Sequence, residues 1–344
     1  MLTLLLAAAI GAPPTIHFET FEYASSVDGV KPLKADVAMI RDGKKKPLVV
    51  VMHGYSGSRL AVTPDLKQLA PRGVVAIAPD MRGCGNSAGT WDSGGLDVHD
   101  ILDAVLAAIR QYPNEIDARN LNVVGYSGGG GNAIACAARF PDLFRNCVSF
   151  FGISDYGWWH QSKGRPDCNV RMEKALGGPP EALPEIYAAR NAIPAAGNPR
   201  GKLHFFWDEQ EKACPPKMIE DFVAGYRSAG LKDVVVHVSK KSDPLRWIHG
   251  YRSSNRDLTK ADDLFLPDVL AKDARSPRLP PKGKLVVPGY LVTRRFQVWI
   301  EDGQKGQVKI EYDLAADPPS VRVIENAKNY KVRIETKSPL SDLP

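Results

Sequence analysis

Residues 121–131, Leu-Asn-Val-Val-Gly-Tyr-Ser-Gly-Gly-Gly-Gly, constrain this chain more than any other stretch. An apolar run suited to a buried strand stops at Gly125. Ser127 stands between Gly125 and Gly129, and a helix-forming segment, 132–139, follows at once. This is Gly-x-Ser-x-Gly in the order strand, sharp turn, helix. Such a turn holds its serine in a strained conformation, so the residues two before and two after it must be small. The hydroxyl is then pushed out at the carboxyl end of the sheet, beside a helix N-terminus whose free N–H groups favour a developing negative charge. A glycine-rich turn that merely contains a serine is the plainer alternative. Placement between strand and helix points instead to Ser127 as a nucleophile.

The flanking sequence supplies a sheet to carry that turn. Segments 16–23 and 33–40 alternate in polarity and are separated by Val27-Asp28-Gly29, as in a hairpin. A continuous apolar strand, 48–52, runs into His53-Gly54-Tyr55. Helix 61–69, strand 74–78, helix 98–109, the Ser127 unit and strand 147–151 follow in order. Regular alternation of this kind predicts an α/β fold, a mostly parallel, doubly wound sheet covered on both faces, within a catalytic domain over 13–275. Residues 152–200 break the pattern with Tyr156, Trp158, Trp159 and many Pro and Gly. A structureless loop that long is out of place in a compact domain, so the segment reads as a cap over the site. Alternation resumes with strand 203–207, helix 218–228 and strand 234–238. After a helical stretch at 258–271, Pro277, Pro280 and Pro281 form a linker. Five strand-like segments then fall within 284–336, with Glu301-Asp302-Gly303 as a hairpin turn. Phe296, Val298 and Ile300 alternate with Arg295, Gln297 and Trp299, which predicts one buried and one wet face in a small antiparallel β segment.

Composition narrows the partners. The formal charge of +6 is spread along the 344 residues rather than clustered, so nucleic-acid binding is not expected. Residues 1–12 form a Leu/Ala-rich run ending in small residues before Pro13 and Pro14. This resembles a secretory signal peptide and predicts a secreted or periplasmic protein, although the usual early Lys or Arg is missing. The run is too short to span a bilayer, and no other segment has the length to do so. The absence of a Cys-x-x-Cys or a histidine cluster predicts no metal, and the chemistry below needs no cofactor. In an exported protein Cys168 and Cys214, both in irregular Pro-rich stretches, are the candidate disulfide, while Cys136 and Cys147 read as small core residues.

A serine hydroxyl is a poor nucleophile at neutral pH and needs a base within hydrogen-bond reach, itself oriented by an acid. In a sheet of this kind the expected order is serine, acid, histidine, each at the carboxyl end of a strand. His249 fits as base: it follows the last main-sheet strand in the loop Asp243-Pro-Leu-Arg-Trp-Ile-His249. His204 and His237 fall inside strands, and His160, in the cap, is the rival. For the acid, Asp208 and Glu211 share one loop. The need for a few residues beyond the strand favours Glu211, with Asp208 as the alternative. Oxyanion donors are expected from the backbone N–H of Gly128 and of Tyr55.

His53-Gly54, Asp80-Met-Arg-Gly-Cys-Gly-Asn-Ser-Ala-Gly89, Ile116-Asp117 leading to Gly125-Tyr-Ser-Gly-Gly129, and Phe151-Gly-Ile-Ser-Asp155 together resemble the α/β-hydrolase superfamily. More narrowly they resemble the catalytic domain of the prolyl oligopeptidase family and its esterase relatives, over residues 33–251. The resemblance implies a serine hydrolase working through an acyl-enzyme, with Ser127, His249 and a loop carboxylate as triad. Three features depart from that family. No stretch reads as the propeller that restricts the peptidases to short peptides, the usual acid position holds Glu rather than Asp, and the C-terminal β segment lies outside the family's core pattern. The first tilts expectation from peptidase towards an esterase acting on a small-molecule or polymer ester. A peptidase or amidase with the same triad is the alternative. A catalytically silent protein whose aromatic cap and β segment hold a carbohydrate or polymer is the third reading.

Overall fold

The computed structural model describes residues 15–249 and 258–344. The run at 1–12 behind the export expectation therefore lies outside the described residues. Among those described, no helix is long and apolar enough to cross a membrane.

Eight strands form one sheet: β1 (His17–Tyr23), β2 (Leu33–Met39), β3 (Lys46–Met52), β4 (Val75–Pro79), β5 (Ile116–Tyr126), β6 (Asn146–Phe150), β7 (Lys202–Asp208) and β8 (Val234–Ser239). Their spatial order is β1-β2-β4-β3-β5-β6-β7-β8. The β1–β2 and β2–β4 pairings are antiparallel, and the remaining five are parallel. The central strands are apolar throughout because both faces are covered. On one face lie α2 (Leu96–Gln111), α3 (Gly128–Arg139) and α7 (Lys217–Ser228), which bury Ile101, Ile134 and Phe222 against Val50, Val123 and Phe205. On the other lie α1 (Thr63–Leu69) and α8 (Leu258–Val269), which bury Leu66 and Phe265 against Val49, Val124 and Phe206.

Between β6 and β7 stands the cap: α4 (Tyr156–Ser162), α5 (Pro166–Leu176) and α6 (Pro184–Ala188). It has its own core, where Trp159, Met172 and Tyr187 pack with Tyr55 and Met218 of the main body.

Two three-stranded sheets follow α8. One has the order β10-β11-β14 and the other β13-β12-β9. Their strands are β9 (Lys282–Pro288), β10 (Tyr290–Val292), β11 (Gln297–Ile300), β12 (Gln307–Asp313), β13 (Ser320–Glu325) and β14 (Val332–Glu335). All pairings are antiparallel. Three expectations change here. The first of the five strand-like segments, 284–291, is two strands in different sheets. Gly289 turns the corner at φ +76°, where a Cβ would sit 2.2 Å from the Gly303 carbonyl oxygen. Glu301-Asp302-Gly303 is a turn, but it does not close a hairpin, because β11 and β12 belong to separate sheets. The expected wet face is not wet at Trp299, which is buried with its ring 4.9 Å from that of Tyr290 and 5.4 Å from His99 on α2. Phe296, Val298 and Ile300 face the β segment's own core, while Trp299 faces the main domain. The alternation read one buried face correctly, and on the second Arg295 is exposed and Gln297 half-buried, so docking buries only Trp299 there.

Arg139 ties these parts together. It ends α3, is fully buried, and donates to the carbonyls of Gly94 (2.8 Å), Gly95 (3.0 Å), Ala189 (2.5 Å) and Pro288 (3.1 Å). Arg139→Met keeps the bulk but strips donors from the main loop, the cap and the β segment at once. Each buried acceptor left unpaired costs about 1–3 kcal/mol. The variant is expected to lose more than about 3 kcal/mol in urea denaturation. A loss under about 1 kcal/mol would show that these carbonyls find other partners.

Candidate active site

Ser127 caps the N-terminus of α3 with φ 57° and ψ −119°, a conformation a serine adopts only when its surroundings impose it. The surroundings are explicit. Its N–H donates to Phe150 O at 2.9 Å, and its carbonyl accepts from Gly131 N–H at 2.9 Å. A Cβ on Gly125 would lie 2.0 Å from Gly129 O, and one on Gly129 would lie 2.3 Å from Met52 O. Only glycine fits on either side of the serine. The same crowding makes helix of the residues just after it: α3 begins at Gly128, not at 132 as propensity suggests. Each interior glycine costs about 1 kcal/mol in helix propensity, yet close approach of the helix to β3 and β6 requires it.

His249 Nε2 lies 2.8 Å from Ser127 Oγ. Behind the histidine, Glu211 Oε2 accepts from the His249 backbone N–H at 2.6 Å and sits 3.1 Å from Nδ1, off the ring N–H axis. Its other oxygen accepts from the N–H groups of Ala213 (2.6 Å) and Cys214 (3.0 Å). Burial pushes the Glu211 carboxyl up, but the adjacent His249 and these N–H groups outweigh it and hold the group below its ordinary 4.5.

Asp208 is elsewhere engaged. Arg246 grips it with two bonds, 2.7 and 2.6 Å, and Ser239 Oγ donates to it at 2.8 Å. Burial raises this carboxyl and Arg246 with its other donors lowers it further, so it stays below the usual range. Ser239 Oγ in turn accepts from Trp247 N–H at 2.9 Å. Asp208 thus fastens the loop that carries His249 without touching the imidazole. His160 lies away from the serine, its Nε2 2.6 Å from Glu173 within the cap.

The structure brings Tyr55 and Gly128 together. A Cβ on Gly128 would meet Tyr55 N at 2.8 Å, so the turn after β3 touches the first residue of α3, whose N–H has no intrahelical acceptor. The buried His53 stiffens that turn. Its Nε2 accepts from Met81 N–H at 3.1 Å, so Nδ1 carries the hydrogen and donates to Gly54 O at 2.9 Å. Desolvation lowers the His53 pKa, consistent with a neutral ring. The Tyr55 hydroxyl is bonded to Ser93 Oγ at 2.7 Å, and its ring packs on Trp91 and Trp159, so the residue also shapes the wall.

The Cys168–Cys214 bond is absent; both thiols are free. Each has a different neighbour. Cys214 Sγ lies 3.9 Å from Ser127 Oγ, whereas Cys168 Sγ faces Asp167 at 3.8 Å and lines the cavity. Nothing in the residue pattern announced a thiol beside the serine. Arg246 was missed as well, although an arginine three residues before the histidine echoes the spacing of Asp208 and Glu211.

Ser127 and His249 open onto a cavity of about 300 Å³. Its walls are Val62, Phe150, Phe151 and Trp247 from the main domain and Trp159 and Arg165 from the cap. The ends of β5 and β6 and the loops after β3 and β8 line it, the position where open α/β sheets hold ligands.

Comparison with known proteins fits this geometry. A family described as alpha/beta hydrolase fold matches residues 47–155. The chain has the alpha/beta hydrolase fold. It is 27% identical over 175 residues to the uncharacterized peptidase YtmA of Bacillus subtilis, across 51% of this chain and 66% of that protein. Among solved structures, Pyrococcus horikoshii acylaminoacyl peptidase superposes with a TM-score of 0.59 at 21% identity, over 77% of this chain and 43% of the peptidase. A Pyrococcus furiosus esterase superposes at 0.54 and 16% identity, over 74% of this chain and 92% of the esterase. The chain thus spans just under two thirds of the Bacillus relative and less than half of the Pyrococcus peptidase. Its resemblance to the catalytic domains of the prolyl oligopeptidase family rests on the motifs around Ser127 and extends over the sheet and its helices.

Proposed function

We propose that this hydrolase is a serine hydrolase that cleaves a carboxylic ester through an acyl-enzyme on Ser127. The observation that carries the reading is the 2.8 Å contact between Ser127 Oγ and His249 Nε2, with Glu211 against the far side of the ring. In this reading His249 takes the serine proton as Oγ attacks the ester carbonyl. The N–H groups of Tyr55 and Gly128 receive the oxyanion, which a water-excluding site stabilises strongly. His249 then returns the proton to the departing alcohol and activates the water that releases the acid. Glu211 stays ionised, holding the ring and balancing the imidazolium. The cavity's aromatic lining suits an apolar acyl group of modest size.

Amide or peptide cleavage by the same residues is the second reading. It is favoured by the names of the matched relatives, YtmA and the acylaminoacyl peptidase, both peptidases. Two measurements test these readings. A fluorophosphonate probe is expected to label Ser127, and an unlabelled folded protein would end both. A panel of acyl esters and aminoacyl amides of graded size then ranks them, and faster turnover of the amides would displace the ester reading.

A further inference from the structure

The C-terminal β segment touches the cap at a point remote from the cavity, through main-chain and side-chain bonds to α6 and the residues after it. Gly306 N–H donates to Glu185 O at 2.8 Å. Gln307 Nε2 donates to Ala188 O (2.6 Å) and Asn191 O (2.8 Å). Arg190, which follows α6, donates to the Gln304 carbonyl (2.9 Å) and to Gln304 Oε1 (2.7 Å). Gln304 Nε2 donates to Asp92 Oδ2 at 2.9 Å, and Asp92 also pairs with Arg190. One glutamine side chain therefore joins the β segment, the cap and the main domain.

From α6 a packed route leads to the cavity. Tyr187 on α6 packs against α4 at Gly157 and at the ring of His160, and shares a core with Tyr156 and Trp159. Trp159 is a cavity wall, and its Nε1 donates to Ala213 O at 2.7 Å, beside the loop of Glu211. Tight fit prevents slack along the way. A Cβ on Gly164 would come within 2.7 Å of Ala213 O, so the cap end near Arg165 packs backbone against backbone on the acid loop.

We infer that the C-terminal β segment sets the position of the cap, and that Gln304 and Gln307 are positioning residues that fix the cavity's dimensions for bulky acyl groups. This goes beyond the proposed hydrolase activity and rests on it for its readout. Neither glutamine approaches Ser127, His249, Glu211 or the cavity, so bond-making itself does not depend on them. A small acyl group, held by Ser127 and the oxyanion donors alone, is indifferent to where the cap rests. A bulky one needs the cap wall for binding. Loosening the anchor therefore weakens binding of bulky substrates in ground and transition states alike, which raises KM and leaves kcat nearly unchanged.

The test compares para-nitrophenyl acetate with para-nitrophenyl benzoate on the full chain, for wild type and for Gln304→Ala/Gln307→Ala. The double variant is expected to show KM for the benzoate raised about ten-fold, the low end of what one lost apolar contact in a pocket does. Its kcat should stay within about two-fold and its acetate kinetics should be unchanged. Equal losses on both esters, or no change on either, would overturn the inference. Should the double variant lose its cooperative melt, Gln307→Ala, which removes only two bonds to cap carbonyls, is held to the same comparison. A wild-type protein that turns over neither ester overturns the ester reading, and this inference with it. Turnover by wild type with unselective variants overturns the inference alone.

Discussion

Ser127→Ala is expected to lower kcat for the best ester by on the order of a million-fold, and His249→Ala by a comparable factor. The double variant should be no worse than either single one. In the proposed mechanism nucleophile and base act as a unit at 2.8 Å, so once either is gone the other has nothing left to do. What survives is the contribution of the oxyanion donors and of binding. Alanine removes only the Oγ at position 127, and the φ of 57° persists because Gly125, Gly129 and Phe150 impose it. Circular dichroism and urea midpoints should therefore match wild type for Ser127→Ala. A folded Ser127→Ala retaining more than about 1% of kcat would remove the nucleophile assignment. Losses that multiply in the double variant would show the two residues acting in separate steps.

The sheet was legible because its strands are short apolar runs bounded by turn residues, and burial on both faces leaves no other use for such runs. Ser127 was legible for a steric reason: few environments need glycine both two before and two after a serine. The C-terminal segment was harder to read. Gly289 looks like a strand interior until its φ of +76° and the approach of Gly303 are known. Trp299 looks exposed because period-two alternation records strand faces, not what docks on them. The cysteines were misread for a related reason. Sequence position placed Cys168 and Cys214 in irregular stretches, but Cys168 lies on α5 and bonding depends on where each Sγ points, and Cys214 points at the serine. Asp208, the last residue of β7, and Glu211 are three residues apart, and Arg246 and His249 three apart on the loop after β8. Such spacing brings two acids to two bases but leaves the pairing open. The arginine's fork settles it, since Asp208 accepts both of its arms and the histidine is left to Glu211.

That pairing predicts opposite outcomes for two conservative substitutions. Glu211→Gln is expected to reduce kcat on the order of ten-thousand-fold, the scale seen when an amide replaces the carboxylate behind a catalytic imidazole. An amide can present its N–H₂ to the ring, favouring the wrong tautomer, and it cannot balance the imidazolium formed as Ser127 attacks. Folding should change less, because the amide oxygen still accepts from Ala213 and Cys214 N–H. Asp208→Asn should do the reverse. It leaves Arg246 facing a neutral group and weakens the clasp through Ser239 to Trp247, so stability falls by about 1–3 kcal/mol while kcat changes far less. Arg246 is partly open to solvent, which keeps that loss modest. The pH dependence gives an independent check. Glu211 is held below its ordinary 4.5, so its ionised form contributes stability that is complete above that value. That contribution fades as pH falls through the lower folded-state value. The stability difference between wild type and Glu211→Gln should accordingly be level at neutral pH and shrink in acid. A larger kcat loss in Asp208→Asn than in Glu211→Gln would transfer the acid's role to Asp208. The off-axis contact at 3.1 Å would then be a packing neighbour of His249 rather than its partner.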